Sequence, residues 1–286
     1  RMTVTLERPD AMTHPMNVTL EKLQQHFTWT KLYTKPEGEN WYSYQNIINQ
    51  ESGVFALLLA QYQQHAPYLN KRQAVQNLFG SLTWWCATAY YAPVLIEQRS
   101  PTNLEHLYVH LHDEGYLNTL ALEVDTFLCL LNDKAATHSK ATVVSSVDEL
   151  VARALQQLQT ALQPLINVAK IHTTIQDKAL WLYLADNLTQ LILHLQQSSK
   201  QQTSEAEIEA VLCRLPERGG TGVLEVACGN EREYFTKRST CCFYYLNPEG
   251  EKCSTCPKLS LEARVEKLQS YMAIKVQQEL SEAATS

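Results

Sequence analysis

Cysteines crowd one stretch of this chain: Cys241 and Cys242 are adjacent, ten residues follow, then Cys253, two residues, Cys256 and Pro257. Four thiolates in one short loop can enclose a metal centre without recruiting distant chain. Cys253 and Cys256 stand at the separation where a tight turn aims both sulfurs at one metal ion. The vicinal pair is unusual. Neighbours in an extended strand point to opposite faces, so Cys241 and Cys242 converge only where the backbone leaves the strand. Three chemistries compete. A structural zinc site wants a tetrahedral set, usually gathered as two separated knuckles, and here one knuckle is replaced by the adjacent pair. Disulfides belong to oxidising compartments, and Arg1 to Pro15 lacks the basic region and apolar run of a secretory signal. A 2Fe–2S cluster takes two thiolates per iron, and its larger core tolerates unequal spacing. The spacing favours the cluster and leaves all three open.

Other side chains could serve a redox or binding site. Between Arg232 and Lys258 five basic residues (Arg232, Lys237, Arg238, Lys252, Lys258) face three acidic ones (Glu233, Glu249, Glu251), in a chain of net charge -6. That local excess can be ordinary surface charge, or can counter an anionic centre and attract anionic partners. His106, Tyr108, His110 and His112 alternate with Leu107, Val109 and Leu111, so the four share one side of a strand. A half-solvated strand face explains them as well as a site does, and a mononuclear metal site on His110 and His112 has little else behind it. Gly219, Gly220 and Gly222 have neither the preceding strand nor the following helix of a phosphate loop. No dinucleotide fingerprint occurs, so electrons for redox chemistry would come from a separate protein or small reductant.

The elements that must position these residues are mostly helical. Apolar spacing predicts helices over Asn17–Phe27, Ser52–His65 and a long Lys71–Glu97, the last strained near Pro93. Residues 1–15 read as a frayed terminus and Asn40–Asn49 as a polar, aromatic connection. Leu104–His112 and Tyr116–Val124 form a hairpin about Asp113, Glu114 and Gly115. Ser146 with Glu149, Thr174 with Asp177, and Ser204 with Glu207 have the spacing of helix-opening caps, and residues 196–203 read as a flexible connection. Val223–Val226 and Arg232–Arg238 form a second hairpin that leads directly to Cys241. Leu261, Val265, Leu268, Met272 and Val276 predict an amphipathic C-terminal helix. Cys86, Cys129 and Cys213, in apolar settings, are expected in the core.

The fold class is therefore α+β, mostly α-helical, with small antiparallel β-hairpins and a C-terminal cysteine-rich loop. Hydrophobic residues make up 45% and charged residues 19%, as in ordinary globular proteins, and the negative net charge argues against nucleic acid as a partner. The apolar stretch Phe79–Ile96 reads as a buried core helix rather than a span.

The cysteine spacing resembles the C-terminal signature of the FhuF-like ferric siderophore reductases. So does its setting, with Arg238 three residues before Cys241 and Tyr244 and Tyr245 just after Cys242. Weaker likeness covers roughly residues 70–258 and includes the Trp84-Trp85 helix running to Pro93, the turn from His112 to Gly115, and the Leu180-Trp181 helix. The resemblance implies that Cys241, Cys242, Cys253 and Cys256 ligate a 2Fe–2S cluster that serves as redox centre. It also implies a mainly helical catalytic domain, a cytoplasmic location and one-electron reduction of ferric siderophores. Lys237, Arg238, His106, His110 and His112 are then candidate contacts for the chelate. The electron donor would be a ferredoxin or flavoprotein reductase, and no transmembrane span is expected, which leaves room for peripheral association with the inner membrane.

Two departures stand out. Helices of the family near the position of Trp181 often continue with a small polar residue and Asn, where this chain has Leu182 and Tyr183; the tail after Lys258 is also longer than usual. The expected organisation is an N-terminal helical region (1–70), a helical core that binds substrate (71–215), a cluster segment (216–258) and a terminal helix and tail (259–286). Two other readings of the same cysteines are an electron carrier without a chelate seat and a zinc-stapled interaction module.

Overall fold

The structure, a computed structural model, describes residues 14–285, with the backbone alone for residues 279–285. The frayed terminus expected for residues 1–15 lies, up to residue 13, outside the described residues. His14 and Pro15 instead cap and begin helix α1 (Pro15–Gln24), with the His14 ring accepting the Met16 N–H.

Helix α4 (Lys71–Tyr90) is the axis of the molecule. Asn70 caps it and Gln73 reaches back to the Asn70 N–H, a reciprocal box that satisfies two otherwise orphaned donors. Every residue from Trp85 to Tyr90 is buried. The predicted helix Lys71–Glu97 is two helices, because Pro93 has no N–H to continue the ladder; the chain breaks at Tyr91 and resumes as α5 (Ala92–Glu97). Against α4 pack α6 (Val147–His172) and α7 (Asp177–Ser198). Leu150, Ala154, Leu158, Leu162 and Leu165 line the inner face of α6 at helical spacing. Ser146 accepts the Glu149 N–H and Ser204 the Glu207 N–H, as the sequence predicts. The Thr174–Asp177 cap does not form: Gln176 is the N-cap residue of α7, and Asp177 pairs with Lys170.

The predicted hairpin is β4 (Leu107–Leu111) with β5 (Leu117–Leu122), the core face supplied by Leu107, Val109 and Leu111. It sits inside a four-stranded sheet ordered β1-β5-β4-β2, whose outer strands β1 (Leu32–Tyr33) and β2 (Trp41–Ser43) the sequence does not announce. The stretch read as a connection, Asn40–Asn49, holds β2 and the short helix α2 (Tyr44–Ile48). Helix α3 (Val54–His65) follows. A three-stranded sheet joins β3 (Arg99–Pro101), β6 (Phe127–Leu130) and β7 (Ala141–Val144), the last pair parallel. The small sheets are thus not all antiparallel hairpins.

After helix α8 (Glu205–Leu212), strands β8 (Gly222–Cys228) and β9 (Glu231–Lys237) pair in register from Gly222 opposite Lys237 to Cys228 opposite Glu231. Helix α9 (Leu261–Thr285) packs on β8 through Leu268 and Met272 against Val226, while Leu261 and Val276 of the same stripe are exposed. Cys86 and Cys129 are core residues. Cys213 is exposed, one helical step past the buried Val211 and Leu212, and so is not the core residue expected. Among the described residues no helix is long and apolar enough to cross a membrane.

Candidate metal centre

The β8–β9 hairpin hands the chain to the cysteine loop, and α7 takes hold of it there. Asp186, only 2% exposed on the buried face of α7, turns its carboxylate to the loop. Its oxygens accept the N–H groups of Ser239 (2.9 Å) and Thr240 (2.7 Å) and the hydroxyls of Thr240 and Thr221 (both 2.6 Å). A buried carboxylate is tolerated when its lone pairs are filled in this way. The Arg238 Nε lies 3.8 Å from the same carboxylate.

The vicinal pair is held by its carbonyls. The Tyr183 hydroxyl donates to the Cys241 carbonyl at 3.2 Å, and the Asn77 amide donates to that of Cys242 at 2.7 Å. Tyr183 gets there because α4 and α7 approach closely at Gly80, where a Cβ would lie 2.7 Å from the Tyr183 ring. Phe243 then adopts a left-handed conformation (φ 58°), uncommon for a bulky residue. The turn lets the Phe243 N–H reach the Cys241 Sγ at 3.3 Å and the Tyr244 N–H reach the Cys242 Sγ. The far side of the loop closes at Gly250, where a Cβ would meet the Tyr244 carbonyl at 2.0 Å; no other residue fits there.

These supports bring the four sulfurs together two by two. Cys242 and Cys253 are in hydrogen-bonding contact, and so are Cys241 and Cys256, so Cys253 and Cys256 do not pair with each other as their spacing suggests. The Cys242 thiol is pulled down to about 5, chiefly by the bond from Cys253, then by the Tyr244 N–H and the Arg238 guanidinium. Cys253 is pushed up by the same bond and by burial. Burial raises Cys241. Among the described residues no three His, Cys, Asp or Glu side chains converge as a mononuclear metal site would require. Two pairs of thiols with backbone N–H groups aimed at the sulfurs are the donor set of a two-iron cluster, and the residues present fit that group.

An open cleft of about 510 Å³ adjoins the loop, with Cys242 in its wall. Trp29, Tyr62, Tyr68, Trp84 and Tyr244 make it aromatic, and Arg238 is the one formally charged side chain among the described residues that line it. Of the other candidate contacts, Lys237 is exposed on β9 and does not line the cleft. The histidines are also elsewhere: His110 bonds Asn118 and packs on Trp41, His112 stacks on Tyr116, and His106 is exposed. Sequence reasoning missed Asp186, Asn77 and the role of Tyr183. For Asp186 one signal existed, the lone acid in the leucine-rich stretch from Leu180 to Leu195.

Residues 238–258 match the family model described as the FhuF 2Fe-2S C-terminal domain, and all four cysteines of the loop lie inside the match. The segment carries the FhuF-like signature, and the cofactor it points to is a 2Fe–2S cluster. No curated protein matches the chain.

Proposed function

We propose that this protein is a ferric-siderophore reductase: it holds a 2Fe–2S cluster on Cys241, Cys242, Cys253 and Cys256, seats the chelate in the adjoining cleft, and reduces its iron to Fe(II) for release in the cytoplasm. The carrying observation is the placement of Cys242, which belongs at once to the paired thiols and to the wall of an aromatic cleft. The match to a siderophore-related 2Fe–2S domain supports the same reading.

A siderophore wraps Fe(III) in hard, anionic oxygens. Fe(II) is held far more weakly, so one added electron converts a trapped ion into a releasable one. The bound cluster supplies electrons one at a time, at a potential set by charge, hydrogen bonds to sulfur and exposure. The reduction needs no general acid, base or nucleophile. The chain's own contribution is geometric: Asp186, Tyr183 and Asn77 fix the loop, and the cleft presents stacking surfaces and neutral amides beside the thiols. Arg238 faces the cleft within charge range of Cys242, where it attracts an anionic group of the incoming chelate. Electrons would arrive from a ferredoxin or flavoprotein reductase.

The test is turnover of a ferric siderophore by the chemically reduced protein under anaerobic conditions, with Fe(II) trapped by a chromogenic chelator. A reductase produces the coloured complex catalytically when reductant is resupplied. A carrier without a chelate seat exchanges electrons with redox proteins and leaves the chelate ferric. Substituting Trp84→Ala in the cleft should raise KM for the chelate while the visible spectrum of the cluster stays unchanged.

A further inference from the structure

The loop is not symmetric about its four sulfurs. Cys241 and Cys256 are 9% and 2% exposed, whereas Cys242 and Cys253 are half-buried. Contact follows the same division, Cys241 with Cys256 and Cys242 with Cys253. The adjacent cysteines therefore hydrogen-bond to different partners rather than to each other. Their carbonyls are pinned by different helices, Cys241 by Tyr183 of α7 and Cys242 by Asn77 of α4, and each sulfur turns to a different partner. Only Cys242 reaches the cleft, and the Arg238 guanidinium acts on both Cys242 and Cys253.

We propose that Cys241 and Cys256 hold an inner iron and Cys242 and Cys253 an outer one, and that in the reduced protein the extra electron resides on the outer iron at the wall of the cleft. This rests on the cofactor reading above and extends it to the division of ligands. The argument is electrostatic. Reduction adds one negative charge, which is better accommodated beside a guanidinium and partial solvent than in the buried half of the loop. The inner pair is closed off from solvent, which disfavours added negative charge there. Cys242 and Cys253 would then hold the ferrous iron on the cleft side of the loop, and the electron it gives up would be the one that the siderophore's ferric iron gains.

The experiment is Mössbauer spectroscopy of the full chain loaded with ⁵⁷Fe and reduced with dithionite. Such a sample resolves one ferrous and one ferric site. Cys253→Ser and Cys242→Ser should each shift the ferrous doublet and leave the ferric one in place, and Cys256→Ser should do the reverse. Arg238→Gln, which removes no ligand, should lower the reduction potential. If Cys241→Ser and Cys242→Ser perturb the same iron, or if Cys253→Ser perturbs the ferric site, the assignment is overturned. Where a serine variant holds no iron, the wild-type protein answers instead, through the hyperfine-shifted Cβ protons of its cysteines. The protons of Cys242 and Cys253 should appear with the ferrous set, and finding Cys241 and Cys242 together would refute the division. A protein with this ligand division that leaves chelates untouched would keep the inference and lose the reductase function. Colourless protein without iron and sulfide would remove both.

Discussion

Replacing Asp186 by Ala should loosen the cysteine loop at its root. The carboxylate accepts two backbone N–H groups and two hydroxyls. The hydroxyls of Thr221 and Thr240 can rotate to other acceptors, and the Ser239 N–H is near enough to the surface to find water. The Thr240 N–H cannot, since Thr240 is 6% exposed. An orphaned buried donor costs about 1–3 kcal/mol, and because its lost partner is a charged group the net effect lies at the upper end, about 3 kcal/mol. For a domain of this size that corresponds to a fall in Tm of roughly 6–12 °C. Thermal denaturation of the metal-free protein followed by circular dichroism reads the stability, and iron and sulfide content after anaerobic reconstitution reads the loop. Asp177→Ala is the control: it removes an exposed pair with Lys170 and should change Tm by no more than about 2 °C. An Asp186→Ala protein that melts with the wild type and loads iron equally well would refute the anchoring argument.

Gly250→Ala places a methyl group on the Tyr244 carbonyl, so the loop must open; its iron content after reconstitution should fall severalfold while the helical spectrum is retained. Tyr183→Phe deletes the hydroxyl that donates to Cys241 and should cost about 1 kcal/mol in urea denaturation with the cluster still bound. Burial depresses His14, His26 and His172 below the ordinary value of 6.5, so the folded chain resists protonation that the unfolded chain accepts. Their contribution is complete above pH 6.5 and is lost as the pH falls below it, and His172→Gln should flatten that part of the stability profile. Leu268→Asp should release α9 from Val226, exposing the β8–β9 hairpin to limited proteolysis while Asp186 keeps the loop in place.

What could be read in advance follows from which signals are local. The Ser146 and Ser204 caps, the start of α4 at Lys71 and the alternation in β4 are properties of short windows, and each appears where the sequence puts it. The cysteine spacing is equally local and marked the loop. Strands of two or three residues such as β1 and β2 have no period to detect, and their pairing with a distant hairpin is a tertiary event. The supports of the loop escaped for the same reason. Asn77, Tyr183 and Asp186 lie more than fifty residues from Cys242, Cys241 and Thr240, and nothing in their own neighbourhoods names these partners. The alternating histidines were visible but inconclusive; His110 bonds Asn118 and packs on Trp41, and no histidine of the strand lines the cleft.

The central claim is that electrons held by the cysteine loop pass directly to a chelated ferric ion. Stopped-flow mixing of fully reduced protein with excess ferric siderophore, in the absence of any further reductant, measures this in one turnover. The account predicts that the visible bands of the oxidised cluster return at a rate that saturates with siderophore concentration, with one Fe(II) trapped per electron lost. Reduced protein that stays reduced in the presence of the chelate, or that reoxidises without yielding Fe(II), would contradict it.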